Sequence, residues 1–320
     1  MTEPRVTSPG PEPAGSTVIT PGPEAAGGPW WPSPYGAGDR IGAGHELTPE
    51  ATLAALRLPR SGRVIELAQL TTADVPVIQP RVHHQVILAH ENLPDVSRLA
   101  GDNRFSTFAE HVVTSYHVGC HLDGLGHAGI DGRYYNGLPY AEIFAATGLT
   151  QLGIENVRPW VGRGIVLDIA ALRRRACLDA GTAITPGDLE QASHDQGIEV
   201  RPGDAVLVHT GWSELWESEP ERYAASEPGL DAEAADWLAR RRVSLVAVDN
   251  WGCDVYPSPV PGQFFPVHQR LLTMAGIYIL ENIRTSDLVR AAACTPFLFI
   301  LGVPRLHGAT AAVVAPLAVL

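Results

Sequence analysis

The sequence predicts a single α/β domain built on a mixed, strongly curved, barrel-like β-sheet flanked by helices. Three observations carry that expectation. Short apolar runs rich in β-branched residues recur along the chain, they dominate the first half, and strand and helix patterns alternate only in the second half. An all-parallel dinucleotide-binding order needs regular alternation throughout, so it is not expected.

The elements follow in chain order. Residues 1–28 are rich in Pro, Gly, Ser and Thr and hold few large apolar groups. Such a segment cannot bury enough surface to offset its ordering entropy, so a disordered tail is expected. Thr48-Pro49-Glu50 reads as an N-cap with proline at the first helical position, opening a helix through "ATLAALRL". Strands are expected at residues 64–67, 84–90, 110–117, 164–169, 205–209, 244–249, 277–280 and 297–301. Helices are expected at 185–193, 231–241 and 266–274, with Thr185 and Asp231 as starts and Gly276 as a stop. No internal repeat or second linker interrupts the rest, so residues 29–320 read as one domain.

Composition narrows the function class. Of 320 residues, 45% are hydrophobic and 18% charged, and 23 Lys+Arg against 35 Asp+Glu give a net charge of −12. An acidic balance without basic runs argues against nucleic acid and anionic membranes as partners. Cys120, Cys177, Cys253 and Cys294 lie far apart and form no CxxC, so neither a disulfide framework nor a thiolate zinc site is signalled. No apolar stretch reaches the roughly 20 residues of a membrane span, and no secretory signal pattern opens the chain. A cytoplasmic enzyme acting on a small molecule is the expectation.

One stretch concentrates chemistry. Residues 114–127, "TSYHVGCHLDGLGH", hold His117, His121, Asp123 and His127 among glycines. On a straight strand His117 and Asp123 share a face but stand about 20 Å apart, at ~3.3 Å per residue. On a helix Asp123 falls about 200° round from His121. A strand that ends near His117 and bends at Gly119 removes the conflict, because glycine tolerates the dihedrals of such a corner. Two imidazoles and a carboxylate then form a mixed nitrogen–oxygen set suited to Zn²⁺, Mn²⁺ or Fe²⁺. Three local ligands leave a position open for water, with His127 beside it as an acid/base. The alternative is a glycine-rich turn whose histidines bind nothing. "GLGHAG", residues 124–129, also satisfies GxGxxG, but turn-forming sequence follows where a dinucleotide site needs a helix. No GxSxG elbow or P-loop occurs.

"HVGCHLDGLGH" resembles the HxGTHxDxPxH signature of the metal-dependent cyclase family, which includes bacterial kynurenine formamidases and isatin hydrolases. Further segments look like the family's longer members, among them "GPWWPSPYGAGDRIGA", "VRPGDAVLVHTGW", "VDNWGCDVYPSP" and "FPVHQRLLTMAGIYILENI". The resemblance implies a swivelling β/β/α fold, His117, His121 and Asp123 as metal ligands, and His127 as the acid/base. It also implies that His268 and Glu281 supply the remaining metal contacts of a two-metal site. A single-metal site with Glu281 as base stays open, as does a cap role for His268 with Glu281 paired to Arg284. Departures from the signature are Cys120 for Thr, Gly124 for the usual small residue and Leu125 for Pro. Ile78 in "VPVIQPR" stands where kynurenine formamidases carry a tryptophan, so kynurenine formamidase itself is not the first choice.

Aromatic and polar residues beside the motifs, Trp30, Trp31, Tyr134, Asn136, Trp251 and Phe264, are the expected substrate-binding groups. The expected function is metal-dependent hydrolysis of an amide, cyclic amide or lactone. It would use one or two Zn or Mn ions per subunit, no organic cofactor, and a homodimeric or higher assembly. The alternatives are a cyclase or dehydratase acting on a biosynthetic, polyketide-like intermediate, and a non-catalytic binding protein on the same fold. Removing residues 1–27 is expected to leave the melting temperature and any turnover nearly unchanged. A loss of more than a few degrees would show that the tail docks on the domain.

Overall fold

The computed structural model describes residues 30–78, 80–89, 102, 103, 105–292 and 295–320. The tail expected at residues 1–28 lies outside them. Fifteen strands follow one another among the described residues: β1 (Val64–Glu66), β2 (His83–Ala89), β3 (Phe108–Thr114), β4 (His121–Asp123), β5 (Arg133–Tyr134), β6 (Leu138–Pro139), β7 (Trp160–Asp168), β8 (Ala183–Ile184), β9 (Ala205–His209), β10 (Gly229–Leu230), β11 (Leu245–Val248), β12 (Tyr278–Glu281), β13 (Phe297–Leu301), β14 (Ala311–Val313) and β15 (Leu317–Val319).

Nine of them form one mixed sheet, in the order β1-β15-β13-β7-β9-β11-β12-β4-β14, which curls strongly into a half-barrel flanked by helices. The four central strands β7, β9, β11 and β12 run parallel, and antiparallel pairs extend the sheet on both sides. Strands β9, β11 and β12 are buried at every residue. Their near-continuous apolar sequence reflects a sheet covered on both faces, which alternation alone does not reveal.

Helices make the crossovers. Pro186–Asp195 lies between β7 and β9 and opens with a capping box, in which Thr185 and Asp188 satisfy each other's backbone N–H. Ala232–Arg240, capped by the Asp231 side chain, lies between β9 and β11. Between β11 and β12 the expected helix over 266–274 is α-helical only at Pro266–His268, and Gln269–Ala275 continues as a π-helix. Gly276 closes it at φ +67°. It also packs so closely on Gly42 that a side-chain carbon there would lie 2.9 Å from the Gly42 Cα.

Two boundaries differ from expectation in ways that matter for the site. The strand expected to run to residue 117 stops at Thr114, and Val118 N–H closes a turn on the Ser115 carbonyl. His117 therefore sits on the turn, free to face the sheet. The strand expected at 277–280 is shifted by one, which makes Glu281 its last residue. Strands β4, β14 and β15, of three residues each, were not anticipated.

Among the described residues strands β2 and β3 pair only with each other and form an arm outside the main sheet. Large apolar side chains on it stay in solvent, with Phe108 73% and Val113 64% exposed.

Candidate metal centre

The site is assembled around the three-residue strand β4. Residues two apart on a strand share a face, so His121 and Asp123 point the same way. Antiparallel pairing sets Glu281 of β12 directly opposite His121. The Gly119 corner, at φ +70°, aims its carbonyl back at His121, whose Nδ1–H donates to it at 2.8 Å. The same carbonyl accepts from Asn282 at 3.0 Å. That bond leaves His121 Nε2 as the free nitrogen, 3.1 Å from Glu281 Oε2 and 3.6 Å from Asp123 Oδ1.

His117 reaches in from the turn before the strand, its Nδ1 2.9 Å from Asp123 Oδ1 and its Nε2 3.2 Å from Thr310 Oγ1. His127 follows a tight turn closed by its own N–H on the Gly124 carbonyl. Gly126 lies within that turn, where a side-chain carbon would come 2.3 Å from the Leu149 side chain. His127 Nε2 lies 3.9 Å from Asp123 Oδ2, and its ring sits 4.1 Å from that of His117. His268 completes the cluster. Its Nδ1 bonds Asp254 at 2.7 Å, and its Nε2 lies 3.3 Å from Glu281 Oε1 and 3.6 Å from Asp123 Oδ2.

These groups fit a divalent cation. His117 Nδ1, His121 Nε2 and both Asp123 oxygens are buried without a hydrogen-bond partner, although they lie within reach of one another. Buried polar atoms are normally satisfied, and unsatisfied ones cost free energy. Two groups of ligand atoms converge, His117 with Asp123 and His127, and His121 with Asp123 and Glu281, with Asp123 common to both. His127, expected outside the ligand set, thus lies close enough to join it. His268, expected inside the set, stands beside these two groups.

The charges are organised around the same atoms. Burial alone would raise the Asp123 carboxyl, but the imidazoles packed round it, with close contacts from His117 and His268, hold it well below the usual range. Glu281 is likewise held low, by His121 and His268, against burial and the neighbouring Asp123. Burial would lower His268, yet the carboxylates of Asp123, Asp254 and Glu281 lift it well above an ordinary imidazole. Burial dominates at His127 and pushes it down to about 3. His127 is therefore a neutral base, with a quarter of its side chain still open.

A cavity of about 400 Å³ opens onto the cluster, lined among others by Arg81, His127, Trp251, Phe264, His268 and Glu281. The structure does not bring Trp30, Trp31, Tyr134 or Asn136 to it. Trp31 lies against Gly137 and under the Arg133 guanidinium. Tyr134 packs on the main core. Asn136 spends its amide on the carbonyls of Gly36, Ala37 and Asp39 and on the Ser33 N–H, fastening the residue 33–39 segment. Arg284 pairs with Asp287 and not with Glu281. Of the departures from the signature, Cys120 and Leu125 are core residues, each 2% exposed. Arg81, Asp254, Asn282 and Thr310 were missed. Asp254 alone carried a signal, as an acid inside a largely apolar stretch.

A buried nitrogen–oxygen cluster on the end of a curled mixed sheet, opening onto a cavity, defines a single-domain α/β protein whose residues suit a divalent cation. Residues 65–255 match the family model described as putative cyclase, and the chain belongs to that family. A solved structure described as a novel cyclase is 28% identical, with a TM-score of 0.80 over 89% of this chain and 98% of that one. Isatin hydrolase A from Ralstonia solanacearum is 18% identical, with a TM-score of 0.62 over 84% of this chain and 94% of that one. A predicted metal-dependent hydrolase from Bacillus stearothermophilus is 17% identical, with a TM-score of 0.52 over 80% and 97%. No curated protein matches the chain in sequence. Among the described residues no helix is long and apolar enough to cross a membrane.

His121→Ala is expected to abolish stoichiometric binding of Zn or Mn while the fold survives, as read by metal analysis and circular dichroism. Retention of a full complement of metal would show that His121 is not a ligand.

Proposed function

We propose that this protein is a metal-dependent hydrolase that cleaves an amide, cyclic amide or lactone bond in a small organic molecule. One observation carries the reading: four unpartnered ligand atoms on His117, His121 and Asp123 converge beside a cavity that His127 also lines. The fold it shares with an isatin hydrolase and a predicted metal-dependent hydrolase is consistent with it.

A bound divalent cation, Zn or Mn, would lower the pKa of a water molecule and polarise the scissile carbonyl. The chain's own groups do the rest. His127 lines the cavity with a quarter of its side chain open, so it takes the water proton and returns it to the leaving nitrogen or oxygen. Asp254 accepts the Nδ1–H of His268 and fixes its orientation, which directs Nε2 at Glu281 and Asp123. Trp251 and Phe264 give the cavity an aromatic wall that suits a flat substrate.

We also infer that a second copy of the chain covers the β2–β3 arm. A two-stranded hairpin alone is marginally stable in water, and this one exposes Val86, Ile87, Phe108, Val112 and Val113. Phe108→Ser combined with Val113→Ser is expected to shift a dimer towards monomer in sedimentation. A wild-type protein that is already monomeric would exclude this role for the arm.

His127→Asn is expected to retain metal and fold while slowing turnover roughly 10²–10⁴-fold, the scale of a lost general acid/base. Loss of metal from that variant would instead make His127 a ligand. Screening ring-opening amides and lactones in ¹⁸O-labelled water tests the reaction class, since hydrolysis must place the label in the product carboxylate. Turnover without label would assign the site to cyclisation or dehydration.

A further inference from the structure

Arg81 stands at the root of the β2–β3 arm and lines the same cavity as His127 and Glu281. Its Nη1 donates to the His117 carbonyl at 2.9 Å, which fixes the guanidinium beside the ligand cluster. That bond uses one of five N–H donors. Among the described residues no carboxylate forms an ion pair with Arg81.

The charge balance gives this cation a task. The ligand atoms of His121, Asp123 and Glu281 converge beside the cavity, where a divalent cation would meet the two carboxylates. Arg81 is then a positive charge on the cavity wall that meets no carboxylate among the described residues. Trp251, Phe264 and Phe265 line the same cavity. The cavity thus combines an apolar, aromatic lining with the remaining N–H donors of the guanidinium.

We propose that Arg81 is a specificity-determining residue that takes a carboxylate substituent of the substrate. A planar guanidinium held in one orientation matches a carboxylate through two parallel hydrogen bonds. The substrate class is therefore a flat, commonly aromatic amide or lactone that carries a carboxylate away from the bond to be cleaved. This inference rests on reading the cavity as the substrate site.

The test is calorimetric titration of the metal-loaded protein with benzoate and with benzamide, probes of one shape that differ in charge. Wild type is expected to bind benzoate more tightly than benzamide. Arg81→Gln should weaken benzoate at least about tenfold, the scale of a lost charge-assisted pair, and leave benzamide and metal content unchanged. Arg81→Lys, which keeps the charge and loses the fork, should fall between them. Benzoate binding that survives in Arg81→Gln would assign the anion to the metal and overturn the proposal. So would an equal loss for both probes, which would make Arg81 a support for the His117 turn, or a wild type that does not prefer benzoate. The measurement needs no turnover, so it succeeds or fails independently of whether the protein is a hydrolase.

Discussion

Asp123 is fully buried, is held ionised, and has neither oxygen in a hydrogen bond. Taking a carboxylate out of water costs several kcal/mol unless a counter-charge meets it in the interior. Much of the site's architecture answers that demand. Three of the imidazoles close to it come from different places in the chain: a turn (His117), the same strand (His121) and a helical segment 145 residues further on (His268). Without a cation, the cost is met partly by the raised His268, which tends to carry a proton. A bound divalent ion and that proton therefore compete for the same carboxylates, which couples metal affinity to pH.

The surrounding carboxylates serve the loops that hold these ligands. Asp249, at the end of β11, accepts from the Thr210 and Gly211 N–H groups and from the Thr210 and Thr285 hydroxyls, so it ties together the chain leaving β9, β11 and β12. Glu227 accepts the N–H groups of Trp251 and Gly252, and burial together with nearby Glu281 pushes it well above the usual carboxyl range. Through those two bonds it shapes the Trp251 loop beside the cluster. Asp254 then satisfies the first N–H groups of the helical segment and orients His268. The ligands meet where these strands end, the usual place for a site on an open α/β sheet.

Much of this was legible in the sequence, for physical reasons that differ between elements. Strands β9 and β13 match their expected limits, because continuous apolar runs bounded by polar residues admit few registers. Thr185 and Asp231 marked their helices because capping is a local hydrogen bond between near neighbours. The local part of the cluster was legible because Gly119 must bend the chain for its histidines to meet. Asn136 and Trp31 misled the reading of the cavity, since a polar or aromatic residue in a loop looks the same in sequence whether it fastens a segment or faces a ligand.

The sequence by itself determined the mixed α/β class, the spacing of His117, His121, Asp123 and His127, and the corner between them. These depend on side-chain chemistry and backbone freedom within a few residues. Only the tertiary structure decided that Glu281 faces His121 across two antiparallel strands, that Asp254 steers His268, and that Arg81 reaches the cavity. The first of these joins positions 160 residues apart and is set by the register of β4 against β12. Register depends on how every strand of the curled sheet packs at once, and no local stretch of sequence carries that information.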